Sequence, residues 1–165
     1  MSKAVISVIM GSESDLEVVQ EGINLLKEFK LEFEVKVLSA HRTPKELVEY
    51  VEEASKTGTK VFIAAAGGAA ALAGVIAAHT VLPVIGIPME TKSLKGLDSL
   101  LSTVQMPAGI PVASMAIGKA GAKNAAIFAL EILAVSDKDI EDKLKQYRQK
   151  IKTKILNTKV GVRYV

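Results

Sequence analysis

The chain has 165 residues, 49% hydrophobic, 24% charged and only 4% aromatic, with a formal net charge of +3. That composition fits one globular domain with a proper core and excludes a disordered chain. With no cysteine, disulfides, thiolate zinc sites and a cysteine nucleophile are excluded too.

The positive charge gathers in a mixed-sign run near the end, "KDIEDKLKQYRQKIKTK". It reads as a solvated helix face and not as a basic stripe for nucleic acid. At the other end, "MSKAVISVIM" enters a strand pattern with no cleavable signal region. The longest apolar stretch, "VFIAAAGGAAALAGVIAA", has the length of a bilayer span. Gly67 and Gly68 interrupt it, and Lys60 and His79 frame it, so a strand, a turn and a helix are expected there. We expect no membrane partner, no nucleic-acid partner and a cytoplasmic location.

In chain order, "AVISVIM" from Ala4 to Met10 is a β-branched run fit for a strand buried on both faces. After the Gly11-Ser12 break, Leu16, Val19, Ile23 and Leu26 form one helical stripe. "FEVKVL" is a second strand, and "TPKELVEYVEEASKTG" a helix opened by Thr43 and Pro44 and closed by Gly58. "KVFIAAA" is a third strand, "AALAGVIAA" a short buried helix and "LPVIGIP" a fourth strand. "KGLDSLLSTVQ" is helical and "PVASMAI" is the fifth strand. "GAKNAAIFALEILAV" follows, and then a last helix over about 137–156 with Ile140, Leu144, Tyr147, Ile151 and Ile155 on one stripe.

Strands alternating with helices predict an α/β fold: a three-layer αβα sandwich, flavodoxin-like, around a parallel five-stranded sheet. Residues 1–165 read as a single domain with an extra C-terminal helix. The apolar stripe of that helix needs a cover, either its own subunit or a neighbour.

Ligands of open parallel sheets sit beyond the carboxyl ends of the strands, and three features converge on that edge. The first is "MGSESD", where Ser12, Ser14 and Asp15 precede a helix whose free amides and dipole suit a phosphate or a ribose. Ser14 or Asp15 acting only as a helix N-cap explains the same residues. The turn is neither a Walker loop nor GxGxxG, so it gives no support for ATP or dinucleotides. The second feature is "LSAHRTP". Here Ser39, Ala40, His41 and Arg42 meet the edge; an arginine fork suits phosphate, and histidine is the side chain suited to moving protons near pH 7. The third is "AAAGGAAALAG", whose small residues let a backbone approach a ligand, although close helix–sheet packing accounts for them equally well. His79 ends the buried helix as a dipole partner. The two histidines, without a clustered carboxylate set, make no metal site.

Taken together, "VIMGSESD", "SAHRTP", "AAGGAAALAG", "LPVIGIP" and "GLDSLLSTVQMPAGIPVASMAIGKAGAKNAA" resemble the 5-(carboxyamino)imidazole ribonucleotide mutase family of de novo purine synthesis. The likeness runs over about residues 4 to 155. It implies a substrate built of an aminoimidazole ring, a ribose and a 5′-phosphate, and an isomerase that moves a carboxylate from the exocyclic nitrogen to the neighbouring ring carbon. It implies no ATP, metal or organic cofactor. His41 falls on the catalytic histidine, and Ser12, Asp15 and Arg42 fall on substrate-binding positions. Ser14, Ser39, Ala40, Gly67, Gly68, Ala69, Ala70 and Leu72 are implied to line the same pocket. A homo-octamer, its C-terminal helix reaching over a neighbour, is implied as well.

The third loop departs from the family pattern, with Ala65, Ala71 and Ala73 where Gly, His and Pro are usual. The change at 71 removes a polar contact near the expected pocket. The sister reaction, direct carboxylation of aminoimidazole ribonucleotide with carbon dioxide, is the alternative, but "SAHRTP" with "GGAA" favours the mutase. A flavin carrier would need ring-stacking aromatics that these loops lack, and a phospho-receiver would need an aspartate where the third strand ends in Ala66.

Overall fold

The computed structural model describes residues 4–158. The chain divides between Ala129 and Leu130 into two compact units. In the first, strands β1 (Ile6–Met10), β2 (Phe33–Val37), β3 (Val61–Ala66), β4 (Val84–Pro88) and β5 (Ala113–Ser114) form one parallel sheet of order β2-β1-β3-β4-β5. Helices α1 (Leu16–Glu28), α2 (Pro44–Thr57), α3 (Leu72–Ala78), α4 (Leu97–Val104) and α5 (Lys119–Ala134) connect or follow them on both sides of the sheet. The expected α/β sandwich is what forms. The fifth strand is shorter than the "PVASMAI" run predicted, because only Ala113 and Ser114 reach ladder partners on β4.

The central strands are continuous apolar runs because both faces are covered. On one face Ile9, Phe62, Ala64 and Val84 pack with Leu47, Val51 and Ala54 of α2 and with Leu72, Ala73, Ile76 and Ala77 of α3. Strand alternation turns Ile6, Val8 and Met10 to the other face, and all three are buried. There α1 and α5 touch so closely that a Cβ on Gly22 would lie 2.6 Å from the Ala122 carbonyl oxygen. Only a glycine permits that approach.

One polar residue interrupts β1. Ser7 is fully buried, and its hydroxyl lies 2.7 Å from the Tyr50 hydroxyl, which donates to Glu34 Oε2 at 3.1 Å. Lys36 closes the set, 2.6 Å from Glu34 Oε1 and 5.6 Å from the Tyr50 ring centroid. These groups sit at the amino end of the sheet and satisfy one another.

The second unit holds the end of α5 and helix α6 (Lys138–Leu156), capped by Asp137, whose carboxylate accepts the Ile140 amide at 3.2 Å. Several of its charges pair along its own surface, Lys138 with Glu141 at 2.7 Å, Lys145 with Glu141, and Lys145 with Asp142 at 3.7 Å, while Arg148 reaches Glu131 at the end of α5 at 2.5 Å. Two lysines hold the exposed Glu141 carboxyl well below its ordinary range, at about 2. The first two turns of the mixed-sign run are therefore a self-paired helix face. Of the apolar stripe, Ile140 and Leu144 are buried, whereas Ile151 is 42% and Ile155 66% exposed. Among the described residues no helix is long and apolar enough to cross a membrane.

Candidate active site

Strand order reverses direction at β1, so the loops after β1, β2 and β3 open side by side at the carboxyl edge. They enclose a cavity of about 390 Å³. Its lining takes Gly11, Ser12, Ser14 and Asp15 from the first loop and Ser39, Ala40, His41 and Arg42 from the second. Ala66, Gly67, Ala69, Ala71 and Leu72 come from the third.

The first loop is a single 3-10 turn, Glu13–Asp15, wound before α1. Ser12, and neither Ser14 nor Asp15, is its cap. Ser12 Oγ accepts from the Ser14 amide at 3.4 Å and from the Ser14 hydroxyl at 2.9 Å, while Asp15 makes no side-chain cap bond to α1. With its oxygen so used, Ser12 keeps its own O–H to offer a ligand. Burial pushes the Asp15 carboxyl above its ordinary pKa, opposed by a backbone hydrogen bond from Ser12 and by the Arg42 charge. The site thus holds a half-buried carboxylate that feels the charge of the Arg42 guanidinium.

The second loop is a closed turn. Thr43, expected as a helix cap, makes no cap bond to α2. Its hydroxyl instead accepts the Ser39 amide at 2.8 Å and donates to the Ser39 carbonyl at 3.2 Å, and the Thr43 amide bonds the same carbonyl at 2.9 Å. Ser39 and Thr43 so pinch off the three residues between them, Ala40, His41 and Arg42. Arg42 then reaches back to the first loop, its Nη2 donating to the Gly11 carbonyl at 2.6 Å and its Nε to Ser39 Oγ at 3.4 Å. His41 projects at the rim with its ring exposed.

The third loop begins where Gly11 donates to the Ala65 carbonyl at 3.0 Å and Met89 to the Ala66 carbonyl at 2.9 Å. Gly67, Ala69 and Leu72 line the cavity as expected, but Gly68 and Ala70 do not. Gly68 adopts a left-handed conformation (φ +68°) and its amide turns to α4, while Ala70 is buried. Gly11, Ala66 and Ala71 complete the lining without having been singled out as ligand contacts. They contribute backbone and methyl surface, which gives a sequence reader no chemical signal beyond their place inside the first and third motifs. Of the three departures in this loop, only Ala71 faces the cavity; Ala65 and Ala73 are buried in the core. His79 lies apart, exposed at the end of α3 with its amide bonded to Ile76. Among the described residues no group of three or more acidic or histidine side chains gathers to hold a metal.

Hydroxyls, a carboxylate, an imidazole, a guanidinium and a small-residue wall thus surround one cleft with room for a mononucleotide. The family model described as AIR carboxylase matches residues 5–154. The chain is 57% identical over 150 residues to the N5-carboxyaminoimidazole ribonucleotide mutase of Methanocaldococcus jannaschii, covering 91% of this chain and 92% of that one. It is 50% identical over 155 residues to the protein of the same name from Saccharolobus solfataricus, covering 94% and 97%. In structure it is similar to PurE of Treponema denticola, with a TM-score of 0.84, 31% identity and coverage of 92% and 93%.

Proposed function

The chain belongs to the AIR carboxylase family, and from that premise we propose that it is an isomerase of purine biosynthesis. It converts 5-(carboxyamino)imidazole ribonucleotide to 5-amino-4-carboxyimidazole ribonucleotide. The observation that carries the assignment is the convergence of His41, Arg42, Ser12 and Asp15 with a wall of alanine and glycine on one cavity.

Each group has work to do in that reaction. The Ser12 O–H and the Arg42 fork bind the phosphate and ribose end, and the Asp15 carboxylate accepts from a donor on the nucleotide. Protonated His41 gives its proton to the exocyclic nitrogen as the N–C bond breaks and carbon dioxide leaves. The freed aminoimidazole attacks that carbon dioxide through its neighbouring ring carbon, forming the new C–C bond. Neutral His41 then takes the proton from the ring carbon, which restores the aromatic ring and the starting state of the enzyme. One imidazole acts as acid and then as base. Carbon dioxide is small and uncharged, so an apolar wall such as Ala66, Gly67, Ala69 and Ala71 suits its retention.

We extend the proposal to the assembly. The bare Ile151 and Ile155 on α6 and the exposed Leu97, Leu101 and Val104 along α4 are surface that a homo-octamer would cover. The whole chain then acts as one working domain with α6 against a neighbouring subunit, in the cytoplasm where a soluble nucleotide is at hand. The test follows the ultraviolet change with 5-(carboxyamino)imidazole ribonucleotide alone and, separately, with aminoimidazole ribonucleotide plus bicarbonate. Fast ring carboxylation from the first only, lost in His41→Asn, is the expected result. Preference for the second would replace the mutase by a direct carboxylase, and silence with both would end the assignment.

A further inference from the structure

We propose that Ser99, on α4 and outside the cavity lining, is a positioning residue that holds the third loop in its working shape; the role rests on the mutase reading above. The loop "AAGGAAA" has no polar side chain with which to hold itself, and its two adjacent glycines give it more backbone freedom than any other pair of residues would. Its conformation has to be imposed from outside.

The structure shows what imposes it. Ser99 is fully buried, and its Oγ accepts the Gly68 amide at 2.9 Å. The Gly68 carbonyl accepts the Ala70 amide at 2.8 Å, and the Ser102 hydroxyl, which donates to the Asp98 carbonyl at 2.8 Å, lies 3.3 Å from it one helical turn on from Ser99. Both backbone polar groups of the left-handed residue are therefore taken by one helix and one neighbour. Gly67, immediately before, is the cavity-lining residue whose outer side faces Met89, Thr91 and Ser99. Fixing the Gly67–Gly68 peptide fixes the wall against which carbon dioxide and the ring must be held. Removing the Ser99 oxygen leaves a part-buried amide without its partner, and the loop must move to find another.

The consequence falls on the chemical step and not on nucleotide binding, because the groups assigned to the phosphate end lie on the other two loops. Ser99→Ala should lower kcat on the order of 10²-fold with KM changed by less than about threefold. Ser99→Cys, whose sulfur is a weak acceptor, should recover part of the loss. Thr103→Val serves as the control. It removes a buried hydroxyl of the same helix, which donates to the Ser99 carbonyl at 2.8 Å and does not touch the loop, so it should lower the melting temperature and keep kcat. Backbone amide exchange over residues 66–71, read by mass spectrometry, should quicken in Ser99→Ala and not in Thr103→Val. Unchanged exchange would overturn the proposal, and so would faster exchange with unchanged kinetics. If Ser99→Ala fails to fold, Ser99→Cys carries the same two measurements. If the wild-type protein is inactive on both nucleotides, the mutase reading falls, and the exchange result alone decides whether Ser99 holds the loop.

Discussion

The two ends of the sheet carry similar polar side chains and use them in opposite ways. At the amino end Ser7, Tyr50, Glu34 and Lys36 satisfy one another in a closed chain. At the carboxyl end Ser12, Asp15, His41 and Arg42 surround a cavity, and Asp15 bears a desolvation penalty that its partners do not fully offset. Polar groups spent on each other stabilise; polar groups that line a cavity are available to bind a ligand. Substitutions at the two ends should accordingly separate activity from stability.

The sharpest break is His41→Asn. It should lower kcat by about 10²- to 10⁴-fold while changing stability by less than about 0.5 kcal/mol, since the ring is exposed at the rim. Parallel turnover and denaturant measurements check both halves, and a large loss of stability would erase the contrast. Next is Arg42→Lys, which keeps the charge and loses the planar fork that spans Gly11 and Ser39. It should raise KM about tenfold and leave kcat within a few-fold, as initial-rate kinetics would show.

Smaller effects belong to stability. Tyr50→Phe, which strands the Ser7 hydroxyl, should cost about 1–2 kcal/mol in urea unfolding with kcat unchanged. Burial, with the Glu34 charge, pushes the Tyr50 hydroxyl up to about 12 from an ordinary value of 10.0. Between those values the unfolded chain loses a proton that the folded chain keeps, so stability should fall as pH rises from about 10 to about 12. Unfolding midpoints at several alkaline pH values should show a shallower fall in Tyr50→Phe than in wild type. Asp15→Asn runs the other way. The raised pKa means the folded state disfavours the charged form, so at pH 7 the empty variant should melt slightly higher than wild type while binding nucleotide more weakly. The melting difference should vanish as acid protonates Asp15 in both states.

Much of this was readable in the chain. Element types follow from hydrophobic period, and the alternation of strands with helices leaves few topologies once crossovers are right-handed. The position of His41 and Arg42 at a strand end, in a sheet that binds at its carboxyl edge, marked the second loop as part of the site. What could not be read is instructive. Thr43 looks like a cap for α2 and instead pinches the histidine turn, because its hydroxyl had a nearer partner in Ser39. Gly68 looks like a ligand-facing glycine and instead turns its amide to a serine 31 residues away. Both outcomes depend on which acceptor lies closest after packing.

By itself, then, the sequence determined the sheet, its helices and the three loops that must share one edge, because these follow from local periodicity and chain connectivity. It also supplied the imidazole, the guanidinium and the wall of small residues. Only the tertiary structure decided which groups are spent and which remain open: Ser7 on Tyr50, Gly68 on Ser99, and Asp15 half-buried in the lining of the cleft with Arg42. Hydrogen-bond partners and burial are set by distances between residues far apart in the chain, and no local pattern encodes them.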